Sequence, residues 1–279
     1  MSELATARTS APAYQGAIGG LPPQSNLLSD RAVVTEAYTV IPRGVLRDIV
    51  TSVFPEWQGA RAWVLNRPVS GGPTTFAQSI VEVAPGGGAK RPEPQAEVEG
   101  FVFVLSGALS VTVDGAEHVL TEGGFAFLPA GTDWSAANNG VEPTQFQWLR
   151  KRYAPLAGHA PRVVVGNERD IEPTPMPETD GAWRTTRMLD PEDLAFDMHV
   201  NVVTFDPGAS IPFAETHVME HGLYVLEGKA VYRLNDDWVE VEAGDYMALR
   251  AFCPQACYAG GPSRFRYLLY KDVNRQIAL

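Results

Sequence analysis

Short segments of alternating apolar and polar residues, separated by glycine-containing turns, recur along most of this chain. Leu109-Ser-Val-Thr-Val113 alternates with a period of two, which is typical of a half-buried strand. Asp114-Gly115 follows as a type I′ hairpin turn, and Asn235-Asp236 occupies the equivalent place later in the chain. Gly123-Gly124 marks a further turn, and no long helical periodicity is present. The pattern predicts an all-β protein.

The two halves of the chain repeat each other at a constant offset. Glu99-Gly-Phe-Val-Phe-Val-Leu-Ser-Gly107 aligns with Glu220-His-Gly-Leu-Tyr-Val-Leu-Glu-Gly228 without a gap, and the same shift brings Gly87 onto Gly208. An internal repeat made of short strands predicts two small β-barrels in tandem.

Composition and pattern divide the chain into four segments. Residues 1–45 are predicted to be an N-terminal arm, whose first two dozen residues are expected to be mobile or to depend on a partner. An N-terminal barrel follows at 46–153, and a C-terminal barrel lies at 190–279. The segment 154–189 between them is rich in proline and has few periodic apolar residues, so it is predicted to be a connector.

Composition also narrows the class of protein. With 279 residues, of which 45% are apolar, the chain can bury two domain cores, and no apolar segment is long enough to span a bilayer. The N-terminus lacks the apolar core of a secretory signal, so we expect a cytoplasmic protein. A net charge of −11 argues against nucleic acid and anionic membranes as partners. A small anion is still compatible, because a local cation in a pocket outweighs a distant, screened surface charge.

Three potential metal ligands lie close together in Glu215-Thr-His217-Val-Met-Glu-His221. This stretch resembles the first cupin motif, in which His-x-His precedes a glutamate, but Glu215 and His221 have exchanged places relative to that order. The position of the histidine that ends the second cupin motif is occupied by Gln255. The resemblance implies a bicupin, a pair of cupin barrels, with an unusual ligand set in its second barrel.

Two imidazoles and two oxygen donors without a thiolate disfavour a closed zinc site and suit manganese or iron(II). In an extended strand Glu215 and His217 face the same way, so both are expected to point into the barrel. A single carboxylate would leave net positive charge at the metal, which would attract a carboxylate-bearing substrate. The first barrel is predicted to bind no metal, because its corresponding residues are Pro94, Ala96, Gly100 and Trp134.

Near the C-terminus, Arg266-Tyr-Leu-Leu-Tyr-Lys-Asp-Val-Asn-Arg275 has the pattern of a strand in which Tyr267, Leu269 and Lys271 share one face. If that face is inward, a phenol and an ammonium meet the metal cavity, and burial would lower the pKa of the lysine toward a proton-transfer role. The alternative is that Lys271 lies at the surface of an edge strand.

From about residue 27 to its end the chain resembles the (S)-ureidoglycine aminohydrolase family of manganese bicupins. The most specific parts are Glu215–Gly222, Gln255 and Tyr267–Arg275. The resemblance implies an enzyme that hydrolyses (S)-ureidoglycine to (S)-ureidoglycolate and ammonia in allantoin and purine breakdown. It implies Mn²⁺ as cofactor, with Fe²⁺ also compatible with the ligands, and assembly into a homo-oligomer.

The resemblance also implies roles for single residues. The family's metal ligands correspond to Glu215, His217, His221 and Gln255, and its substrate contacts to Glu215, Gln255, Tyr267 and Lys271. We expect Lys271 to transfer protons with Glu215 as a second candidate, and Tyr267 to orient the substrate.

Two other functions fit the same pattern. One is a manganese or iron cupin oxygenase or decarboxylase that acts on a small carboxylic acid, and the other is a non-catalytic bicupin that binds a ligand. His199, on a predicted strand, is a possible further cavity residue. Cys253 and Cys257 flank Gln255 and are expected to stay reduced and to pack beside the metal as small buried residues.

Overall fold

A computed structural model describes residues 31–46, 51–68, 74–272 and 275 of the chain. Within these ranges nearly all regular structure is strand, and the helical segments are two single 3₁₀ turns at Arg43–Val45 and Glu168–Asp170. No described helix has the length and apolar character needed to cross a membrane. The strands are β1 (Val33–Val34), β2 (Tyr38–Ile41), β3 (Gln58–Asn66), β4 (Phe76–Ala89), β5 (Val98–Ser106), β6 (Ala108–Val113), β7 (Ala116–Thr121), β8 (Gly124–Leu128), β9 (Trp134–Ala137), β10 (Thr144–Arg152), β11 (Val164–Asn167), β12 (Thr174–Pro175), β13 (Trp183–Arg187), β14 (His199–Phe205), β15 (Ser210–Glu215), β16 (His221–Glu227), β17 (Lys229–Leu234), β18 (Asp237–Glu242), β19 (Tyr246–Leu249), β20 (Gln255–Tyr258) and β21 (Phe265–Lys271).

The first barrel is one sheet of nine strands. Its order is β11-β8-β5-β10-β4-β9-β6-β7, with β3 added to β4. The predicted hairpin turn between β6 and β7 is confirmed, since Asp114 and Gly115 have φ angles of 49° and 81°, as a type I′ turn requires. Trp57, Trp134 and Trp148 pack in its core with ring-centre distances of 5.6 and 6.2 Å to Trp148.

The second barrel is built from two facing sheets. The larger has the order β1-β2-β19-β16-β21-β14-β13-β12, and the smaller has the order β15-β20-β17-β18. Tyr232, Phe265 and Tyr267 lie between them in a common apolar core. Two tandem barrels of short antiparallel strands confirm the predicted all-β bicupin architecture.

Parts of the predicted arm and connector belong to the barrels. Strand β2 pairs with β19, so residues 38–41 extend the larger sheet of the second barrel, while residues 1–30 of the predicted arm lie outside the described residues. In the segment 154–189, β11 pairs with β8 of the first barrel, and β13 pairs with β14 of the second. The predicted domain boundaries stay predictions, but this segment contributes strands to both barrels as well as connecting them.

A third apolar cluster joins the two barrels. Phe76 of β4 packs on Tyr270 of β21 with ring centres 4.0 Å apart, and Phe127 of β8 meets Phe196 edge to face at 5.2 Å. Gly222, directly after His221, lets β16 approach the first barrel, since a Cβ atom there would lie 2.9 Å from the Phe76 ring. The first barrel thus supports the strand on which His221 lies.

Polar groups are buried in the same contact between the barrels. Lys151 Nζ lies 2.5 Å from Asp197 Oδ2, and both side chains are almost fully buried. The Glu99 carboxyl is fully buried beside them, and its pKa is raised well above its ordinary value by burial and by the neighbouring Asp197. Losing one partner of such a pair leaves an uncompensated buried charge.

We therefore expect Lys151→Met to lower the free energy of unfolding by about 3–5 kcal/mol. The matched control is Lys229→Met, whose half-exposed ammonium lies 3.1 Å from Glu242 and whose loss should cost about 0–1 kcal/mol. Urea unfolding of both variants measures the difference. Equal, small losses would mean that the buried pair contributes no more than a surface one.

Candidate active site

A cavity of about 220 Å³ in the second barrel contains all six residues selected from the sequence. Glu215 is the last residue of β15, His221 the first of β16 and Gln255 the first of β20. His217 lies in the loop after β15, so the expectation that it continues an extended strand is wrong. Its ring nevertheless lines the cavity, because the loop between β15 and β16 carries it inward.

The predicted ligands lie close to one another. Glu215 Oε1 is 3.3 Å from His217 Nε2 and 3.5 Å from Gln255 Nε2, and the two histidine ring centres are 5.0 Å apart. Neighbouring donors on one octahedral cation, each roughly 2.1 Å from it, lie about 3 Å apart. The spacing is compatible with shared coordination, although no three His, Cys, Asp or Glu side chains of the described ranges already form a metal site.

His221 carries the strongest sign of an external partner. Its side chain is 3% exposed, and neither ring nitrogen has a well-formed hydrogen bond within the described part of the chain. Burial, then the charges of Lys271 and His217, hold the pKa of His221 well below its ordinary value, and the nearby Met219 backbone only partly offsets them. A buried, neutral imidazole with unsatisfied nitrogens suits metal coordination, because such atoms are costly to leave unpaired.

Gln255 completes a set of two nitrogen and two oxygen donors. Its amide nitrogen faces Glu215 here, but turning the amide about its last torsion presents the carbonyl oxygen instead. The residues present therefore fit a divalent cation of the manganese or iron(II) type better than a closed zinc site. In the first barrel the position of His221 is Gly100, where a side chain would meet Trp148 Nε1 at 3.2 Å.

Lys271 at the end of β21 lines the cavity, which is the inward-facing alternative of the sequence interpretation. It lies between His199 of β14 and His221 of β16 in directly paired register. Burial lowers the pKa of Lys271, Glu215 partly offsets that effect, and Arg187 lowers the pKa further. Tyr267, on the same face of β21, is buried in the cavity wall, and burial raises the pKa of its phenol.

The cavity has a second polar wall that the sequence interpretation largely missed. It includes Thr185 and Arg187 of β13 and His199 and Asn201 of β14. Only His199 was considered, and burial lowers its pKa to about 4, with help from the charges of Lys271 and Arg187. The alternation of Trp183, Thr185 and Arg187 is a sequence signal for a strand with one face inward. The prolines around it favoured a connector instead.

The two cysteines are free and buried, as expected for reduced packing residues. Burial raises the pKa of both thiols, and for Cys257 the increase is large. A thiol in an apolar setting is a poor nucleophile. Reaction chemistry in the cavity therefore depends on its carboxylate, amide, phenol, imidazole and ammonium groups.

Fold and cavity together define a two-cupin protein with one ligand-rich pocket in its second barrel. The cupin-domain family matches residues 79–150 and 201–270. The (S)-ureidoglycine aminohydrolase of Escherichia coli is 32% identical over 92% of this chain and 96% of its own, and that of Arabidopsis thaliana is 33% identical over 81% and 73%. A crystal structure from Pseudomonas aeruginosa, of a protein named for induction by glyoxylate, is 58% identical with a TM-score of 0.89, over 95% of this chain and 98% of that one. The chain therefore belongs to the (S)-ureidoglycine aminohydrolase family of cupin hydrolases.

Proposed function

We propose that this protein is a manganese-dependent enzyme that releases ammonia from (S)-ureidoglycine and gives (S)-ureidoglycolate, as a step of purine and allantoin breakdown. One observation carries the proposal. A single cavity contains the four candidate ligands together with Tyr267 and Lys271, and the curated relatives bear the name of this activity. Cytoplasmic location and assembly into a homo-oligomer remain predictions of the sequence.

Glu215, His217, His221 and Gln255 would hold the cation. When bound, a divalent ion supplies Lewis-acid polarisation and fixes the orientation of an oxygen-bearing substrate. The unsatisfied nitrogens of His221 and the close approach of Glu215 to His217 support this assignment. Manganese is proposed over iron because two oxygen donors and no thiolate suit a hard ion, although iron(II) fits the same donors.

Side chains of the protein would transfer the protons of the reaction. Loss of ammonia breaks the bond between the central carbon and the amine, and it needs one proton on the leaving nitrogen. Lys271 would deliver that proton, and the electron pair of the ureido nitrogen, which keeps its hydrogen, would form a protonated imine as ammonia leaves. Water then adds to the imine carbon, and its surplus proton returns to Lys271 or to Glu215. The sum is ureidoglycine plus water giving ureidoglycolate plus ammonia.

Tyr267 would orient the substrate during these steps. Its phenol lies four residues, or two strand repeats, before Lys271 on the same face of β21, so the two side chains approach a bound molecule from one side. Because burial raises its pKa, the phenol stays protonated at neutral pH and can donate a hydrogen bond. A fixed donor beside the proton-transfer group lowers the entropy cost of reaching the reactive arrangement.

The decisive experiment combines metal analysis with an ammonia assay on freshly generated ureidoglycine. We expect purified protein to contain about one manganese per chain, to lose turnover after chelation, and to regain it with added Mn²⁺. Dioxygen consumption with a small carboxylic acid would support a cupin oxygenase instead. Bound metal with no turnover of either kind would support a ligand-binding bicupin, and absence of transition metal from active protein would overturn the assigned cofactor.

A further inference from the structure

Strand β13 presents three hydrogen-bonding side chains to the cavity at a spacing of two residues. Trp183, Thr185 and Arg187 all line it, while Arg184 and Thr186 of the same strand line a separate cleft. Trp183 Nε1 and Thr185 Oγ1 are buried and have no hydrogen-bond partner within the described ranges. Buried polar atoms without partners are uncommon, so this face of β13 is suited to a polar ligand.

The pairing of four strands places this wall on the same sheet as Lys271 and His221. Arg187 pairs with Asn201, Asn201 with Leu269, and Leu269 with Leu223 along one row. A parallel row contains His199, Lys271 and His221. Arg187 thus lies two strands away from the strand that carries Lys271, and it is an exposed residue that lines the cavity.

Arg187 also differs from its neighbouring arginines in its pairing. Arg184 contacts Asp206 at 2.9 Å and Arg266 contacts Glu168 at 2.7 Å, whereas Arg187 has no carboxylate within ion-pair distance among the residues that the structure describes. Its charge lowers the pKa of both His199 and Lys271, so the positive charge of Arg187 affects two other residues of the cavity wall. Two cationic side chains face a single carboxylate, Glu215, in the wall, which favours an anionic ligand.

We propose that Arg187 binds the carboxylate of the substrate and makes the site selective for a carboxylate-bearing ureido compound. The inference rests on the proposed function, and it adds a substrate-binding residue that the sequence resemblance does not assign. A guanidinium presents parallel N–H donors that match the two oxygens of a carboxylate. Buried Asn201 beside it adds a neutral amide to the same wall.

The test compares two ligands that differ in the carboxylate. (S)-Ureidoglycolate carries it, whereas hydroxymethylurea has the same ureido and hydroxyl groups without it. Calorimetric titration of the manganese-loaded protein should give tighter binding of ureidoglycolate by about 10- to 100-fold, and Arg187→Gln should remove most of that difference. In turnover, the same variant should raise KM by a similar factor with kcat nearly unchanged, as expected for loss of a contact present before and during reaction.

Arg184→Gln is the matched control, because it removes the same charge from the opposite face of β13. It should leave the ligand preference and KM unchanged, and Arg187→Lys should recover part of both. An Arg187→Gln variant that keeps the wild-type ligand preference and KM would overturn the inference. Wild-type protein that binds ureidoglycolate through Arg187 but releases no ammonia would instead count against the proposed function alone.

Discussion

His221→Ala should empty the proposed metal site and reduce ammonia release to background. The imidazole is buried, neutral and unsatisfied at both nitrogens among the described residues, so its loss removes a donor that no neighbour replaces. Lewis-acid stabilisation is worth several kcal/mol, which corresponds to a decrease in turnover of roughly 10³- to 10⁴-fold. Elemental analysis of the purified variant and the ammonia assay measure the two effects separately.

His118→Ala is the control for the loss of a histidine. His118 is a partly exposed residue of β7 in the first barrel, far in the fold from the cavity lining. We expect normal metal content and turnover from this variant. Thermal melting of both variants separates loss of the site from loss of the fold. Full manganese occupancy in folded His221→Ala would show that this imidazole is not a ligand.

Lys271→Met should keep metal content and lose most turnover. Burial already lowers the pKa of the ammonium, which makes proton exchange with an amine near neutral pH easier than for an exposed lysine. General acid–base catalysis contributes about 10²- to 10⁴-fold, so kcat should fall by that factor. Methionine keeps the length and packing of the side chain while removing the proton, and stopped assays under saturating substrate measure kcat directly.

Two other variants test whether the effect of Lys271→Met is specific to proton transfer. Lys229→Met removes an exposed lysine of the same barrel, and it should leave kcat unchanged. Lys271→Met should act on kcat, whereas Arg187→Gln should act on KM, because one group moves a proton and the other holds the substrate. Wild-type turnover in manganese-loaded Lys271→Met would refute the proton-transfer role and leave Glu215 as the remaining candidate.

Several features of the fold were predictable because they depend on local geometry. Alternation over Leu109–Val113 and the Asp114-Gly115 turn specify a hairpin through the period of the strand and the positive φ angles of the turn. The internal repeat then predicted two barrels, since two segments with the same order of apolar and polar positions bury corresponding faces of their strands. The expectation that His217 continues the strand failed because a strand can end between two residues of one motif. Here β15 ends at Glu215, and His217 lies in the loop that follows.

The second polar wall could not be predicted in the same way. Arg187 and Lys271 are distant in the chain, and they meet only because β13 pairs with β14 and β14 with β21. Prolines near β13 made the segment resemble a connector, since they limit backbone hydrogen bonding locally. Strand pairing between distant segments depends on the whole core, so a short strand such as β13 leaves little signal in its own residues.

By itself the sequence determined that four candidate metal ligands belong to the second half of the chain and that a phenol and an ammonium share one face of the last strand. Both follow from motif spacing and from the period-two geometry of strands. Only the tertiary structure decided that these groups share one cavity, that His221 is buried and unsatisfied within the described residues, and that Arg187 faces them. Burial and charge come from elements packed together from distant parts of the chain, and local pattern does not contain them.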